Sequence, residues 1–240
     1  MPMSVENLTA VILAGGQGRR MGGQDKGLVP LAGLPMISHV ITRLAPQVRH
    51  LIINANRSHE RYRALGWPVI PDQEEGYAGP LMGMLTAMRH VRTPWVLIAP
   101  CDTPLLPHDL VSRLQSAASE DRDIVQACDS ERVHPVVALM RTSLADDLAT
   151  TLAAGERRID RWYARHRLAS VCFESHMAFA NVNHESDGEA LLSLLDKLET
   201  IIRDHDVTRS EPTDHAAAGY CSMERDRQDY VSGSDVTPTE

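Results

Sequence analysis

The chain has 240 residues, of which 43% are hydrophobic, enough to bury the core of one α/β domain. Its formal charge of −8 and its low aromatic content of 4% disfavour binding to nucleic acid. No apolar run approaches the roughly 20 residues that span a bilayer, and the polar N-terminus lacks the basic start of a signal peptide, so we expect a cytoplasmic protein with no membrane or nucleic-acid partner.

The first apolar run of the chain ends in glycines. Val11–Ala14 is short and continuous, as expected of a strand buried on both faces of a parallel sheet. Three later runs share this character and are followed by polar or turn residues: Val48–Asn54, Trp67–Ile70 and Trp95–Ala99. Helical spacing follows at Ile37–Leu44 and at Leu81–Val91. This alternation predicts βαβ units in a doubly wound sheet, with a ligand crevice beyond the carboxyl ends of the strands.

The second half of the chain is less regular. Asp123–Cys128 and Val133–Met140 read as two strands joined by a turn, which predicts an antiparallel pair in a mixed sheet. Four further elements are predicted: helices at Ser143–Ala154, Arg158–Arg165 and Gly188–Thr200, and a strand at Leu168–Phe173.

The apolar rhythm stops near residue 200. Residues 201–240 contain nine acidic and four basic side chains, so they carry −5 of the total charge of −8. Few large apolar residues are present there to offset the entropy of ordering the segment. We therefore predict a domain over residues 1–200 and an acidic, disordered tail over 201–240.

The four cysteines are far apart in sequence: Cys101, Cys128, Cys172 and Cys221. No two of them form a CxxC pair, so the pattern fits neither a disulfide framework nor a zinc site. We expect reduced thiols.

A glycine-rich turn follows the first apolar run, and the stretch Leu8–Gly27 reads LTAVILAGGQGRRMGGQDKG. It is not a P-loop, because Asp25 and Gly27 flank Lys26 where that motif needs Gly and Ser or Thr. It also lacks the third glycine of a dinucleotide fingerprint, since Met21 stands there. Glycines let the backbone approach a ligand, while Arg20 and Lys26 can bring donors to phosphate oxygens. A flexible turn with solvated cations is the alternative for the loop alone.

The motif LAGGxGxRMGG with the following DKG resembles the signature of nucleotidyltransferases in the form found in molybdenum cofactor guanylyltransferases. The resemblance continues in order along residues 8–190, at NANR (54–57), GPL (79–81), PCDTP (100–104), HP (134–135), GERR (155–158) and NVN (181–183). It implies a single Rossmann-like domain of the nucleotide-diphospho-sugar transferase type. It also implies transfer of GMP from GTP to molybdopterin, with Mg²⁺ as cofactor and release of pyrophosphate.

The resemblance assigns most of the nucleotide site. It implies catalytic roles for Arg20, Lys26 and Asp102, with Asp102 also the metal ligand after its predicted strand. An aspartate in that position equally suits a turn or a helix cap when the motif is ignored. The residues implied in GTP binding are Leu13, Ala14, Gly15, Gly16, Lys26, Asn54, Asp72 and Asp102. Asn54 and Asp72 follow strands, where amide and carboxylate oxygens can accept hydrogen bonds from guanine N1–H and N2–H₂.

The acceptor side is assigned from the second half of the chain. The resemblance implies that molybdopterin contacts His134 and Arg157, and it makes Asn181 and Asn183 candidates for the acceptor side or the metal region. Two arginines, Arg157 and Arg158, can clamp a terminal phosphate, although ion pairs to neighbouring acids are the alternative. After Asn183 this chain departs from the family pattern, which leaves the residues that follow without an assignment. Further expected partners are other cofactor-biosynthesis proteins and apo-molybdoenzymes.

Two other functions stay open from sequence. A related enzyme can transfer CMP to molybdopterin or a nucleotide to a sugar phosphate, but the cytidylyl relatives read LAAG where this chain has LAGG, which favours GTP. A non-catalytic module can use the same loop to bind GTP, but it has no need of a metal carboxylate such as Asp102.

Overall fold

The computed structural model describes residues 5–15, 25–73 and 79–182. Within them, nine β-strands lie at Leu8–Leu13 (β1), Pro30–Leu31 (β2), Leu34–Pro35 (β3), His50–Asn54 (β4), Val69–Ile70 (β5), Trp95–Pro100 (β6), Ile124–Cys128 (β7), Val133–Arg141 (β8) and Leu168–Cys172 (β9). Six α-helices lie at Met36–Leu44 (α1), His59–Arg63 (α2), Pro80–His90 (α3), Leu110–Ala117 (α4), Ala145–Ala153 (α5) and Ile159–Tyr163 (α6). None of these helices is long and apolar enough to cross a membrane.

Seven strands form one sheet in the order β5-β4-β1-β6-β8-β7-β9. β1 lies parallel to both β4 and β6, whereas β8 runs antiparallel to β6 and β7. The chain therefore builds outward from β1 in one direction through β4 and β5, then restarts on the other side of β1 with β6. This reversal is the topological switch point at which α/β sheets bind ligands. The predicted mixed, mostly parallel sheet is confirmed.

Two hydrophobic layers cover the two faces of the sheet. Ala10 and Ile12 of β1 belong to the cluster that contains side chains of α1, α2 and α4. Val11, the residue between them, belongs to the cluster with side chains of α3, α5 and α6. Because successive side chains of a strand point to opposite faces, a strand covered on both sides is apolar throughout. The prediction that this run is buried on both faces is confirmed.

Some element boundaries differ from the predicted ones. The strand predicted at Trp67–Ile70 is only Val69–Ile70, since Pro68 has no N–H for the sheet ladder and contributes only its carbonyl, to Ile53 N. The helix predicted from Ser143 begins as a 3-10 turn at Thr142–Leu144 before α5. The hairpin β2–β3 and helix α4 were not predicted. The predicted helix Gly188–Thr200 and tail 201–240 lie outside the described residues.

Two cysteines correct the expectation of reduced thiols. Cys128 and Cys172 are direct partners in the parallel pairing of β7 with β9, with Cα atoms 4.3 Å apart, and they form a disulfide. Their separation of 44 residues hides this proximity from the sequence, because only the strand pairing creates it. Cys101 is a buried free thiol, and Cys221 lies outside the described residues.

Candidate active site

The polar residues that follow the central strands meet at one edge of the sheet. At the end of β1, Ala14 N donates to Asn54 O at 2.8 Å, and Cys101 N donates to Leu13 O at 3.0 Å. These bonds extend the parallel ladders past the last paired residues, so the three strand ends stay level. As a result, Asn54 and Asp102 lie on opposite sides of the β1 terminus.

A cavity of about 700 Å³ opens at this edge. This is within the size range of small-molecule sites in proteins, roughly 300 to 1,000 Å³. One part of its wall consists of residues from the first half of the chain: Leu13, Ala14, Gly15, Lys26, Asn54, Asp72, Gly79, Pro80, Gly83, Pro100, Cys101, Asp102 and Thr103. The remaining wall comes from β8, the preceding turn and a late segment: Arg132, Val133, His134, Pro135, Val136, Val137 and Asn181.

Lys26 and Asp102 form an ion pair in this cavity. Lys26 begins a short 3-10 turn, and its Nζ lies 2.6 Å from Oδ2 of Asp102, which follows β6. Their side chains are 22% and 18% exposed, so the pair faces the cavity while protein surrounds most of it. The structure thus brings together two of the residues predicted to be catalytic, although they are 76 positions apart.

Asn54, Asn56 and Asp72 form a hydrogen-bonded cluster beside the end of β4. Asn54 Nδ2 donates to Asp72 Oδ1 at 3.0 Å, and Asn56 Nδ2 donates to Oδ2 at 2.7 Å. The amide of Asn54 also donates to Ile70 O, while Asp72 N donates to Asn56 Oδ1. These donations use the amide nitrogens, which leaves Asn54 Oδ1 as an acceptor and orients the Asp72 carboxylate. Asn56 was not predicted as a site residue.

Two glycines make room for this cluster. A Cβ atom on Gly83 of α3 would lie 2.8 Å from Asn54 Oδ1 and 2.9 Å from Leu13 Cδ2. A Cβ atom on Gly15 would lie 3.2 Å from Asn56 Nδ2. Helix α3 can therefore approach the strand ends only because position 83 lacks a side chain. A side chain at position 15 would also crowd this cluster, but less than one at position 83.

The opposite side of the cavity contains an Asp–His pair. His134 Nε2 lies 2.7 Å from Asp129 Oδ2, and the imidazole stacks on Phe179 at 4.5 Å between ring centroids. The backbone N–H of Arg132, with those of Glu131 and the His134 ring, holds the pKa of Asp129 at about 2. An ionised carboxylate only accepts, so Nε2 carries a proton and Nδ1 is the nitrogen left for a ligand.

Arg132 and Asn181 complete this side. Arg132 lies in the turn between β7 and β8, and no sequence motif singled it out. The backbone N–H of Val182 donates to Asp102 O at 3.0 Å, which fixes Asn181 next to the end of β6. Predicted residues His134 and Asn181 therefore share one cavity with Lys26 and Asp102.

Not every predicted site residue lies at this cavity. Arg157 donates from Nη1 to the carbonyls of Leu152 and Glu156, so its guanidinium holds the C-terminal end of α5. Arg158 pairs with Asp160 at 2.5 Å on the surface, as the alternative interpretation of that motif expected. Gly16, Arg20 and Asn183 lie outside the described residues. Their roles, and that of Arg157, stay predictions.

The donor set of the cavity suits a hard divalent cation. Asp102 supplies a carboxylate at the strand end, and Asn181 supplies an amide in the same cavity. Carboxylate and carbonyl oxygens are the ligands that Mg²⁺ prefers, and Mg²⁺ commonly takes one or two protein carboxylates together with phosphates of the substrate. No group of three or more His, Cys, Asp or Glu side chains that could hold a metal is found among residues 5–15, 25–73 and 79–182.

Comparison with known sequences identifies similar proteins along most of the chain. A family model described as the MobA-like NTP transferase domain matches residues 10–171. A molybdenum cofactor guanylyltransferase from Shewanella sp. (strain MR-4) is 51% identical over 178 residues, 73% of this chain and 90% of the relative. Another from Shewanella amazonensis is 50% identical over 190 residues, 78% and 97% of the two chains.

Solved structures show the same architecture. Molybdopterin-guanine dinucleotide biosynthesis protein A from Archaeoglobus fulgidus superposes with a TM-score of 0.66 at 20% identity, over 79% of this chain and 99% of that protein. A CMP:2-keto-3-deoxy-manno-octonic acid synthetase complexed with CTP gives 0.65 at 14% identity, over 79% and 98%. These likenesses establish the nucleotide-diphospho-sugar transferase type of fold.

We predict that Gly83→Ala disturbs the amide cluster. The added methyl group would press on Asn54 Oδ1 and Leu13, so α3 must move or Asn54 must rotate away from Asp72. We expect a loss of about 1 to 3 kcal/mol in unfolding free energy, as is typical of overpacking, even though alanine favours a helix more than glycine does. Urea denaturation and nucleotide affinity measure the two effects; a variant unchanged in both would contradict the close contact.

We predict a stabilising contribution from Asp129 that disappears in acid. Its pKa of about 2 in the folded protein lies below the ordinary value of 3.8. The folded state therefore binds fewer protons than the unfolded state, so the stabilisation is complete above about pH 4 and is lost as the pH falls toward 2. Melting temperatures of the wild type and Asp129→Asn, measured from pH 7 to pH 2, should converge in acid. A constant difference would refute this.

Proposed function

The chain belongs to the family of MobA-like NTP transferases, and on that premise we propose that it transfers GMP from GTP to molybdopterin or its molybdenum form. The product is the molybdopterin guanine dinucleotide cofactor, and pyrophosphate is released. The observation that carries the proposal is that these residues share one cavity: the Lys26–Asp102 pair lies between the Asn54–Asp72 cluster on one side and His134 on the other. GTP and molybdopterin could therefore bind on opposite sides of the Lys26–Asp102 pair.

The Asn54–Asp72 side is the proposed guanine site. Guanine presents N1–H and N2–H₂ as neighbouring donors, and a carboxylate offers two oxygens with about four acceptor positions. Each Asp72 oxygen accepts one amide hydrogen from Asn54 or Asn56, so acceptor capacity remains while the carboxylate orientation is fixed. The backbone at Leu13, Ala14 and Gly15 would lie against the nucleotide. Gly16 and Arg20 are proposed to continue this contact to the phosphates.

Lys26 and Asp102 form the proposed reaction centre. Lys26 would bind phosphate oxygens of GTP through its ammonium group, as a point charge with three donors. Nucleotidyltransferases of this family generally use a divalent metal, and we propose Mg²⁺ held by Asp102 against the triphosphate. The bound ion would neutralise charge on the phosphates as pyrophosphate leaves.

The reaction needs little covalent chemistry from the protein. A phosphate oxygen of the acceptor bonds to the α-phosphorus of GTP, the bond from that phosphorus to the bridging oxygen of the β-phosphate breaks, and pyrophosphate takes the electron pair. Two polyanions must approach each other, so the main barrier is electrostatic and positional. Lys26 lowers this barrier by its charge, and the rigid strand ends hold the α-phosphorus in place.

His134, Arg132 and Asn181 form the proposed acceptor side. His134 lines the cavity and uses Nε2 for its contact with Asp129, so Nδ1 is the ring nitrogen that would contact the terminal phosphate of molybdopterin. Arg132 adds a fixed positive charge at the same wall. Arg157 and Asn183 remain proposed acceptor residues.

Other proteins of cofactor biosynthesis and apo-molybdoenzymes are the proposed recipients of the product. We also propose the cytoplasm as the location. The free thiol of Cys101 suits that compartment, whereas a disulfide such as Cys128–Cys172 is uncommon there.

The nucleotide preference tests the proposed function directly. Pyrophosphate release is measured from ATP, CTP, GTP and UTP, each with and without molybdopterin. We expect release only from GTP with molybdopterin, loss of activity in EDTA, and recovery with added Mg²⁺. Activity with CTP alone would instead identify a cytidylyltransferase, and binding of GTP without any release would identify a non-catalytic module.

The proposed guanine site makes a separate prediction. Asp72→Asn replaces a carboxylate acceptor by an amide, so it should weaken GTP relative to ATP by about 10- to 100-fold, the usual weight of a hydrogen bond to a charged group. Calorimetric affinities for both nucleotides give this ratio. Asp109→Asn, at an exposed aspartate before α4, is the matched control for loss of one negative charge. Equal ratios in the two variants would place guanine recognition elsewhere.

A further inference from the structure

One buried tyrosine contacts the residues on both sides of Lys26 in the chain. Tyr62 of α2 is fully buried, in the hydrophobic layer that α1 and α4 form on one face of the sheet. Its hydroxyl donates to Oδ1 of Asp25, the residue before Lys26, at 2.5 Å. It also packs against Gly27, the residue after Lys26. Lys26 therefore lies between two residues that contact the same hydroxyl group.

The packing at Gly27 excludes any side chain. A Cβ atom there would lie 2.6 Å from the Tyr62 hydroxyl oxygen and 3.3 Å from Cys101 Sγ. The backbone of Gly27 is thus wedged between Tyr62 and the residue that precedes Asp102. This contact joins the turn that carries Lys26 to the strand end that carries Asp102.

Asp25 is an unusual residue to bury. Its side chain is only 6% exposed, and Arg57 Nε lies 3.5 Å from its Oδ2. A buried carboxylate is costly without donors around it. Burial raises the pKa of Tyr62 far above its ordinary value, so the hydroxyl keeps its proton and stays a donor at every working pH. The DKG and NANR motifs therefore meet at this tyrosine through Asp25, Gly27 and Arg57.

We propose that Tyr62, with Asp25 and Arg57, is a positioning device that sets the backbone at Lys26 for contact with the GTP phosphates. The inference rests on the proposed function, in which Lys26 binds the triphosphate. A lysine has a long, flexible stem, so its ammonium reaches a fixed point at low entropic cost only when the backbone beneath it is fixed. The 2.6 Å contact between Lys26 and Asp102 is the geometry that this device maintains.

Tyr62→Phe tests the device because it removes the hydroxyl and keeps the ring. We expect GTP affinity, measured by calorimetry with Mg²⁺ on the full chain, to fall about 3- to 10-fold, the weight of one hydrogen bond. Affinity for guanosine, which has no phosphates and so does not engage Lys26, should stay at the wild-type value. The ratio of the two affinities is the readout that a merely structural tyrosine would not move.

Tyr163→Phe is the matched control. Tyr163 is also buried, and its hydroxyl donates to the backbone, to Pro135 O at 2.7 Å, with no contact to the lysine turn. Both variants lose a buried hydroxyl and should lose similar thermal stability. Only Tyr62→Phe should change the ratio of GTP to guanosine affinity.

The outcomes separate this inference from the proposed function. Lys26→Ala must lower GTP affinity and spare guanosine; if it does not, the assigned role of Lys26 is wrong. If Lys26→Ala behaves so while Tyr62→Phe leaves GTP affinity unchanged, or lowers both affinities equally, the positioning role is overturned. Should Tyr62→Phe not fold, Asp25→Ala and Asp25→Asn replace it: the amide keeps an acceptor for Tyr62, so equal GTP affinities in that pair would overturn the inference as well.

Discussion

The parallel pairing of β1 with both of its neighbours is the constraint on which the site depends. Leu13 is paired with Asn54 on one side and with Pro100 on the other, so three strands end at the same level. The strand pairing thereby brings together residues that are far apart in sequence. The Lys26–Asp102 pair forms because Asp102, which follows β6, lies beside the 3-10 turn that begins at Lys26. A slip of one residue would turn each side chain to the opposite face.

The elements around β1 could be predicted from sequence because burial on both faces requires continuous apolar runs, and four such runs were visible. The same logic fails for short elements. Helix α2 spans only His59–Arg63, too few residues for a periodic pattern, yet it contributes Tyr62. The Cys128–Cys172 bond depends on the pairing of β7 with β9, and local sequence does not encode which strands become neighbours. Contacts between residues far apart in sequence were therefore the features that the sequence predicted least well.

The residues that line the cavity could be predicted from sequence better than the residues that hold them in position. The cavity-lining residues Lys26, Asp102 and His134 lie in short sequence motifs, so a resemblance to a known family can identify them. Residues that hold them act through contacts made by the fold, as Asn56 does for Asp72 and Asp129 does for His134. A motif also does not reveal the contacts that its residues make in the fold: the arginine of GERR at position 157 donates to a carbonyl at the end of α5.

The supports explain why so many polar groups are buried beside the cavity. A site for two polyanions needs charges that stay in place while ligands exchange, because reorganisation during the reaction would add to the barrier. Asp25, Asp72 and Asp129 are carboxylates that each accept at least one side-chain hydrogen bond. Asp72 lines the cavity itself, whereas Asp25 precedes Lys26 in the chain and Asp129 contacts His134. Their desolvation is offset by those hydrogen bonds and by the apolar layers on both sides of the sheet. The strand ends are therefore held by hydrogen bonds between buried polar groups as well as by the apolar layers that pack on both faces of the sheet.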